Sequence, residues 1–257
     1  METSSVLRLA GMILIPFLLV LSPLMLGQRY GINQGKKFPD LQRTPVGSIT
    51  GAAFALLAFL LAFTFQMAAT RFDARKKLLL DEVTNIRTTY LRAALIPEPF
   101  QSDTRKLLID YVNLRVELNN DPSRLDYVMT GSSRILDSLW YNTTKLTSTN
   151  LSPAIFSLFA SSVNNLVDNY NQRVTMTLEY RIPVVVFWSL FFVTFFCMLL
   201  LGYQFGISGR GNFKIFTLLA LTFSTVMFLI LILDNPRFSK LNQKPVLTLQ
   251  QQLVRGI

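Results

Sequence analysis

Two long apolar runs near each end of the chain enclose a polar stretch whose hydrophobic positions repeat with helical period. The runs are Val6–Leu26, Val46–Ala69, Val184–Gly202 and Ile215–Leu233. Each approaches the ~20 apolar residues that cross a hydrocarbon core as a helix. A backbone in lipid has no water to bond, and these runs are too long and too uniformly apolar for the alternating strands of a membrane barrel. Four transmembrane helices follow.

Between the first two runs, Gly27–Pro45 reads as a polar connector punctuated by glycine and proline. The second run passes into Arg71–Ala94 without either breaker, which predicts one helix continuing out of the bilayer. On its distal part Leu79, Val83, Ile86 and Tyr90 share one stripe that needs helical partners. Ile96-Pro-Glu-Pro ends that helix, and Ser102 is the expected cap of the next, with Leu107, Tyr111, Leu114 and Leu118 on its inner face. A turn at Asn120-Asp-Pro leads to a short helix around Arg134–Thr144, carrying Ile135, Leu139 and Trp140. The last helix of this region starts near Ser152-Pro153, shows Ile155, Phe159, Val163, Leu166 and Tyr170, and is expected to run through Arg181 into the third span. Gly206-Ile-Ser-Gly-Arg-Gly reads as a tight turn between spans three and four, since no strand precedes it as a phosphate loop would require.

The pattern therefore describes an all-α integral membrane protein with a helical domain between the second and third spans. Its parts are an N-terminal transmembrane hairpin (1–69), the helical domain (70–181), a C-terminal hairpin (182–234) and a tail (235–257). Arg8 before an apolar core resembles a secretory signal. Pro16, Pro23 and the lack of a small-residue cleavage site favour a retained span instead.

Composition narrows the chemistry. The chain has 51% hydrophobic residues, no histidine and one cysteine, Cys197, inside the third span. An enzyme would lack its commonest base, and Asp and Glu lie at spacings suited to helix-surface pairs, so no catalytic set, metal site or cofactor is expected. The net charge of +10 is assigned to helix-end anchoring, not to nucleic acid. Arg8, Arg71, Arg75, Lys76, Lys77, Arg173, Arg181, Arg237, Lys240 and Lys244 fall on one side, against Arg29, Lys36, Lys37, Arg43, Arg210 and Lys214 on the other. That bias places both termini and the helical domain in the cytoplasm. The sequons at Asn142 and Asn150 would matter only in the opposite orientation.

The second span sorts small and aromatic residues by face. Gly51, Ala55, Phe59 and Phe63 follow at steps of four, with Gln66, Met67 and Arg71 toward the inner end and Arg75 and Arg92 beyond. Around an axis of several copies, Phe59 and Phe63 would form stacked apolar rings that control flow by dewetting. The commoner use of such a stripe is close helix packing, and periodicity alone leaves both uses open.

Leu57-Ala-Phe-Leu-Leu-Ala-Phe-Thr-Phe, Thr70-Arg-Phe-Asp-Ala-Arg, Glu82, Asn85, Ile86, Thr88, Tyr90-Leu-Arg92, Leu95-Ile-Pro97, Tyr111, Arg115 and the closing Asp234-Asn-Pro together resemble the bacterial bestrophin-like membrane family. The resemblance implies four spans, cytosolic termini, a bacterial inner-membrane location and a homopentamer. Second-span helices would line a neck of three hydrophobic rings. Aligned on Thr70-Arg71, the inner rings fall on Phe59 and Phe63 and the outermost on Ala55, a small residue where the family's neck is bulky. No acidic cluster follows Asp234 to carry the calcium binding of animal bestrophins. The expected function is passive anion (chloride) conduction, with inorganic ions, membrane lipid and further copies of the chain as partners. Gly51, Gln66, Met67, Arg71, Arg75 and Arg92 are the further pore or vestibule candidates. A non-conducting sensor or scaffold and a cation channel are the alternatives.

Overall fold

The computed structural model describes residues 2–37, 46–180, 182–209, 211–235 and 241–256, with backbone only for 2–9. Among the described residues are eight α-helices and no strand: α1 (Glu2–Lys37), α2 (Val46–Arg92), α3 (Phe100–Asn120), α4 (Leu125–Lys145), α5 (Pro153–Leu178), α6 (Val184–Ile207), α7 (Phe213–Asp234) and α8 (Lys244–Arg255). Within α1, α2, α6 and α7 lie four stretches long and apolar enough to cross a membrane. The chain forms two compact units, one from Met1–Phe72 with Arg181–Ser239, the other from Asp73–Tyr180 with Lys240–Ile257. Of the basic residues used to orient the chain, Arg8, Arg43, Arg181, Arg210, Arg237 and Lys240 lie outside the described side chains.

In the apolar unit, Val20 and Leu24 of α1, Leu57 and Leu61 of α2, Leu190 and Met198 of α6, and Phe216, Ala220 and Met227 of α7 form the core. Hydroxyls inside it find backbone carbonyls: Thr64 and Thr194 turn back on their own helices to Leu60 and Leu190 (2.7 Å each), and Ser224 donates across to the Ile13 carbonyl of α1 at 3.1 Å. That geometry satisfies them where lipid offers no partner. Asp234 at the end of α7 is buried and accepts the backbone N–H of Ile182 at 3.1 Å.

Two glycine-rich stretches differ from their expected loops. The region read as a connector from Gly27 is helical to Lys37, and α6 continues through Gly206. Gly27 and Gly31 of α1 face Gly202 and Gly206 of α6. A methyl on Gly27 would strike the Leu199 carbonyl, and one on Gly202 the Leu24 carbonyl. This is a reciprocal small-xxx-small contact, in which missing side chains let two helix backbones touch. The turn itself begins beyond α6, where Gly209 adopts a left-handed φ of 65°.

In the polar unit, Leu79, Ile86 and Tyr90 of α2 pack with Leu108, Tyr111 and Val112 of α3, Leu136 and Leu139 of α4, and Phe159, Val163 and Leu166 of α5. The α2 and α5 stripes agree with the periodicity. On α3 the seam is rotated, so Leu108, Val112 and Arg115 are buried while Leu107, Leu114 and Leu118 flank it. Trp140 is exposed, with Leu136 in its place. Helix α4 is longer than expected. Its Gly131-Ser132-Ser133 cluster, a loop signal in isolation, is held helical by Val128, Ser132 and Leu136 on one buried face. Ser102 is not the cap of α3; Glu98 accepts the Ser102 N–H at 3.1 Å.

Two connections differ from those the sequence predicts. Helix α5 stops at Leu178 and does not run into α6, because Pro183 lacks an N–H and drives Ile182 out of the helical region. The residues expected to form a tail contain α8, whose Val246, Leu249 and Leu253 are buried in the core of the polar unit.

Candidate functional site

Helix α2 has two unlike faces within its apolar part. Leu57, Leu61, Thr64 and Ala68 are buried against the other spans, while Gly51, Ala55, Phe59, Phe63 and Gln66 are exposed. The exposed face exists because the bulky aliphatic positions of this segment are spent on the opposite side of the helix. Phe59 is 65% and Phe63 53% exposed, and their rings lie nearly parallel, 14° apart in plane, with centroids 6.4 Å apart. Gly51 has open space around it, and the Gln66 amide donates to the Thr70 hydroxyl at 3.3 Å, which keeps both polar groups on the same open stripe.

The remaining candidates divide. Met67 is partly buried and packs on the core of the apolar unit, off the open face. Arg71 is half-buried, with Nη1 enclosed and without a hydrogen-bond partner. Arg75 is buried, which does not fit an open vestibule wall. Arg92 donates from Nη1 to the Leu158 carbonyl at 2.7 Å, tying α2 to α5. The exposed stripe therefore keeps Gly51, Ala55, Phe59, Phe63 and Gln66. The arginines mostly serve the protomer.

A second constellation was only half visible in the sequence. Glu82 is buried, and its Oε1 accepts the Tyr111 hydroxyl at 2.7 Å. The Nε atoms of Arg115 and Arg173 approach the same oxygen at 3.2 and 3.3 Å, as ion pairs by distance but at angles that form no hydrogen bond. Burial pushes the Glu82 carboxyl up, but the two guanidinium charges and the Tyr111 hydroxyl outweigh it and hold the group below the ordinary carboxylate range. Burial, reinforced by the Glu82 charge, raises the Tyr111 phenol well above its usual value. Burial also lowers the Arg115 guanidinium, with Arg173 adding to the effect. The cations that reach Glu82 come from α3 and α5, not from its own helix. A glutamate on the buried stripe between Leu79 and Ile86 was a sequence signal that a cation must meet it inside the bundle. Which cation was not readable, since Arg173 lies on α5.

The comparisons with known proteins come to the same architecture. A crystal structure of a mutant of the bacterial bestrophin homologue from Klebsiella pneumoniae matches with a TM-score of 0.69 and 16% identity, over 93% of this chain and 98% of that one. The same homologue phased with zinc matches at 0.64 and 14%, over 92% and 97%. A crystal structure described as a membrane protein matches at 0.65 and 14%, over 96% and 98%. At these identities the solved structures establish the fold. No curated protein matches the chain in sequence. The family model described as a bestrophin-like domain matches residues 17–238, so the chain, with its four apolar helices and the buried Glu82 cluster, belongs to the bestrophin-like family.

Proposed function

We propose that the protein is an ion channel of the bacterial inner membrane that conducts small anions passively, assembled as a homopentamer with both termini in the cytoplasm. The α2 helices of the copies line its neck, with Phe59 and Phe63 as stacked rings, Ala55 as a wider outer position, and Gly51 and Gln66 at either end. The observation that carries this reading is the pair of parallel phenyl rings left exposed on the face of α2 opposite its packed side. Apolar side chains lining a narrow path gate by dewetting, and aromatic edges offer partial positive charge to a passing anion. Arg71, at the inner end of the apolar part of α2, draws anions toward the neck. Arg75 and Arg92 act first as packing residues.

The test is flux from liposomes containing the purified protein. Chloride efflux is expected, and Phe59→Ala combined with Phe63→Ala is expected to raise it by roughly several-fold by widening the hydrophobic rings. Pure protein without flux, and a double variant that changes nothing, would remove the proposal. A reversal potential following the cation in a salt gradient would overturn the sign of the ion.

A further inference from the structure

The polar unit holds a cavity of about 70 Å³ beside the Glu82 cluster. Arg115 and Arg173 form part of its wall, together with Ser132 and aliphatic side chains that include Leu118, Val128 and Leu178. Three observations converge on what it accepts. The charges of the cluster do not cancel, because the buried Arg115 and the partly exposed Arg173 share the single carboxylate of Glu82 and leave one positive charge in excess. Ser132 is 1% exposed and its hydroxyl has no hydrogen-bond partner, a costly condition for a buried polar group unless a ligand meets it. The Tyr170 hydroxyl, also in the wall, is already committed to the Met129 carbonyl at 3.0 Å. Donors remain at Ser132 and the arginines, and the opposing charge of Asp137 sits on an exposed side chain.

We propose that this cavity binds a small monocarboxylate with a short aliphatic tail, the carboxylate meeting Arg115, Arg173 and the Ser132 hydroxyl and the tail lying on the aliphatic wall. One anion balances the excess charge, and a planar carboxylate suits guanidinium donors. A halide would fill the polar end and leave the apolar wall unused. The volume is about half that of a cavity that encloses a benzene ring, so a two- or three-carbon acid is the size that fits. Nothing in this assignment depends on conduction, so the site stands or falls separately from the neck.

The experiment titrates the full-length purified protein with sodium formate, acetate, propionate and butyrate at constant sodium, read by calorimetry and by thermal shift, with sodium chloride as the reference anion. Affinity is expected to rise from formate to propionate by roughly fourfold per added methylene and to gain nothing further at butyrate, which outgrows the cavity. Arg173→Gln leaves Glu82 paired with Arg115 alone and is expected to weaken propionate binding by about tenfold or more. Val174→Phe, which keeps every charge and fills the aliphatic wall, is expected to abolish the gain with chain length. If Arg173→Gln does not fold, Val174→Phe decides the question. Chloride binding as well as propionate, binding unaffected by either variant, or no binding by the wild type would each overturn the proposal.

Discussion

The two halves of α2 handle polar residues in opposite ways. In the apolar part Thr64 lies inside the packed face and satisfies its hydroxyl on its own helix, at Leu60, so the neighbouring spans owe it nothing. In the distal part Glu82 lies on the packed face and is satisfied only by residues from α3 and α5. A segment surrounded by lipid must close its hydrogen bonds within protein, and for Thr64 its own helix supplies the acceptor, because lipid offers none. A bundle that assembles from water can bury a charge, provided several helices arrive together to meet it. The first arrangement is robust and carries little specificity. The second makes the whole bundle depend on one oxygen atom.

The sharpest way to break this contrast is Glu82→Ala. It leaves two guanidiniums facing each other in the core and is expected to cost about 3–5 kcal/mol, measured by denaturant unfolding of the purified protein. A loss below about 1 kcal/mol would mean that Arg115 reaches water as the partly exposed Arg173 does, against the burial of Arg115. Acid sharpens the same point. Because the folded carboxyl titrates below its unfolded range, its stabilisation is fully present above that range and is lost as pH falls through the folded value. Wild type should therefore weaken on acidification below the ordinary carboxylate range, and Glu82→Gln should lose that component of the pH dependence while being less stable at neutral pH.

Gly202→Val tests the apolar unit, where contact between backbones takes the place of polar pairing. The added side chain meets the Leu24 carbonyl, and a loss of about 1–3 kcal/mol is expected in detergent unfolding, with the helices forced apart. A neutral result would show that α1 and α6 do not rely on their glycines. The smallest effect belongs to Thr64→Val, expected at about 0.6 kcal/mol or less, since the lost bond is internal to α2. A larger loss would show that the hydroxyl serves a neighbour, and the contrast between the halves of α2 would fail.

Much of this architecture was legible in the pattern of the chain. Four apolar runs of membrane length, the unbroken passage from the second run to Arg92, and the stripes of α2 and α5 all follow from period and length. What misled the reading was residue chemistry with two uses. Glycine marks turns in water and close helix contact in lipid, so Gly27, Gly31 and Gly206 were assigned to loops although they lie within helices. Proline at position 183 separates α5 from α6 although the apolar pattern runs on across it. Helix α8 carries Val246, Leu249 and Leu253 at spacings of three and four, a signal present in the sequence but too short to stand out from a tail. The candidate neck stripe was visible residue by residue, but the burial of Arg75 and the use of Arg92 to bind Leu158 were not, because spacing along one helix cannot say what packs above it.

By itself the sequence determined that the chain is helical and membrane-spanning, and that one face of α2 concentrates glycine, alanine and phenylalanine. These properties depend on composition and period, which act over a few turns of a single helix. Only tertiary structure decided that Glu82 on α2 meets Arg115 and Arg173 from two other helices, that a cavity opens beside them, and that α8 closes the same core. The Glu82–Arg173 pair alone joins residues about ninety positions apart along the chain, α8 reaches further still, and no local preference encodes either.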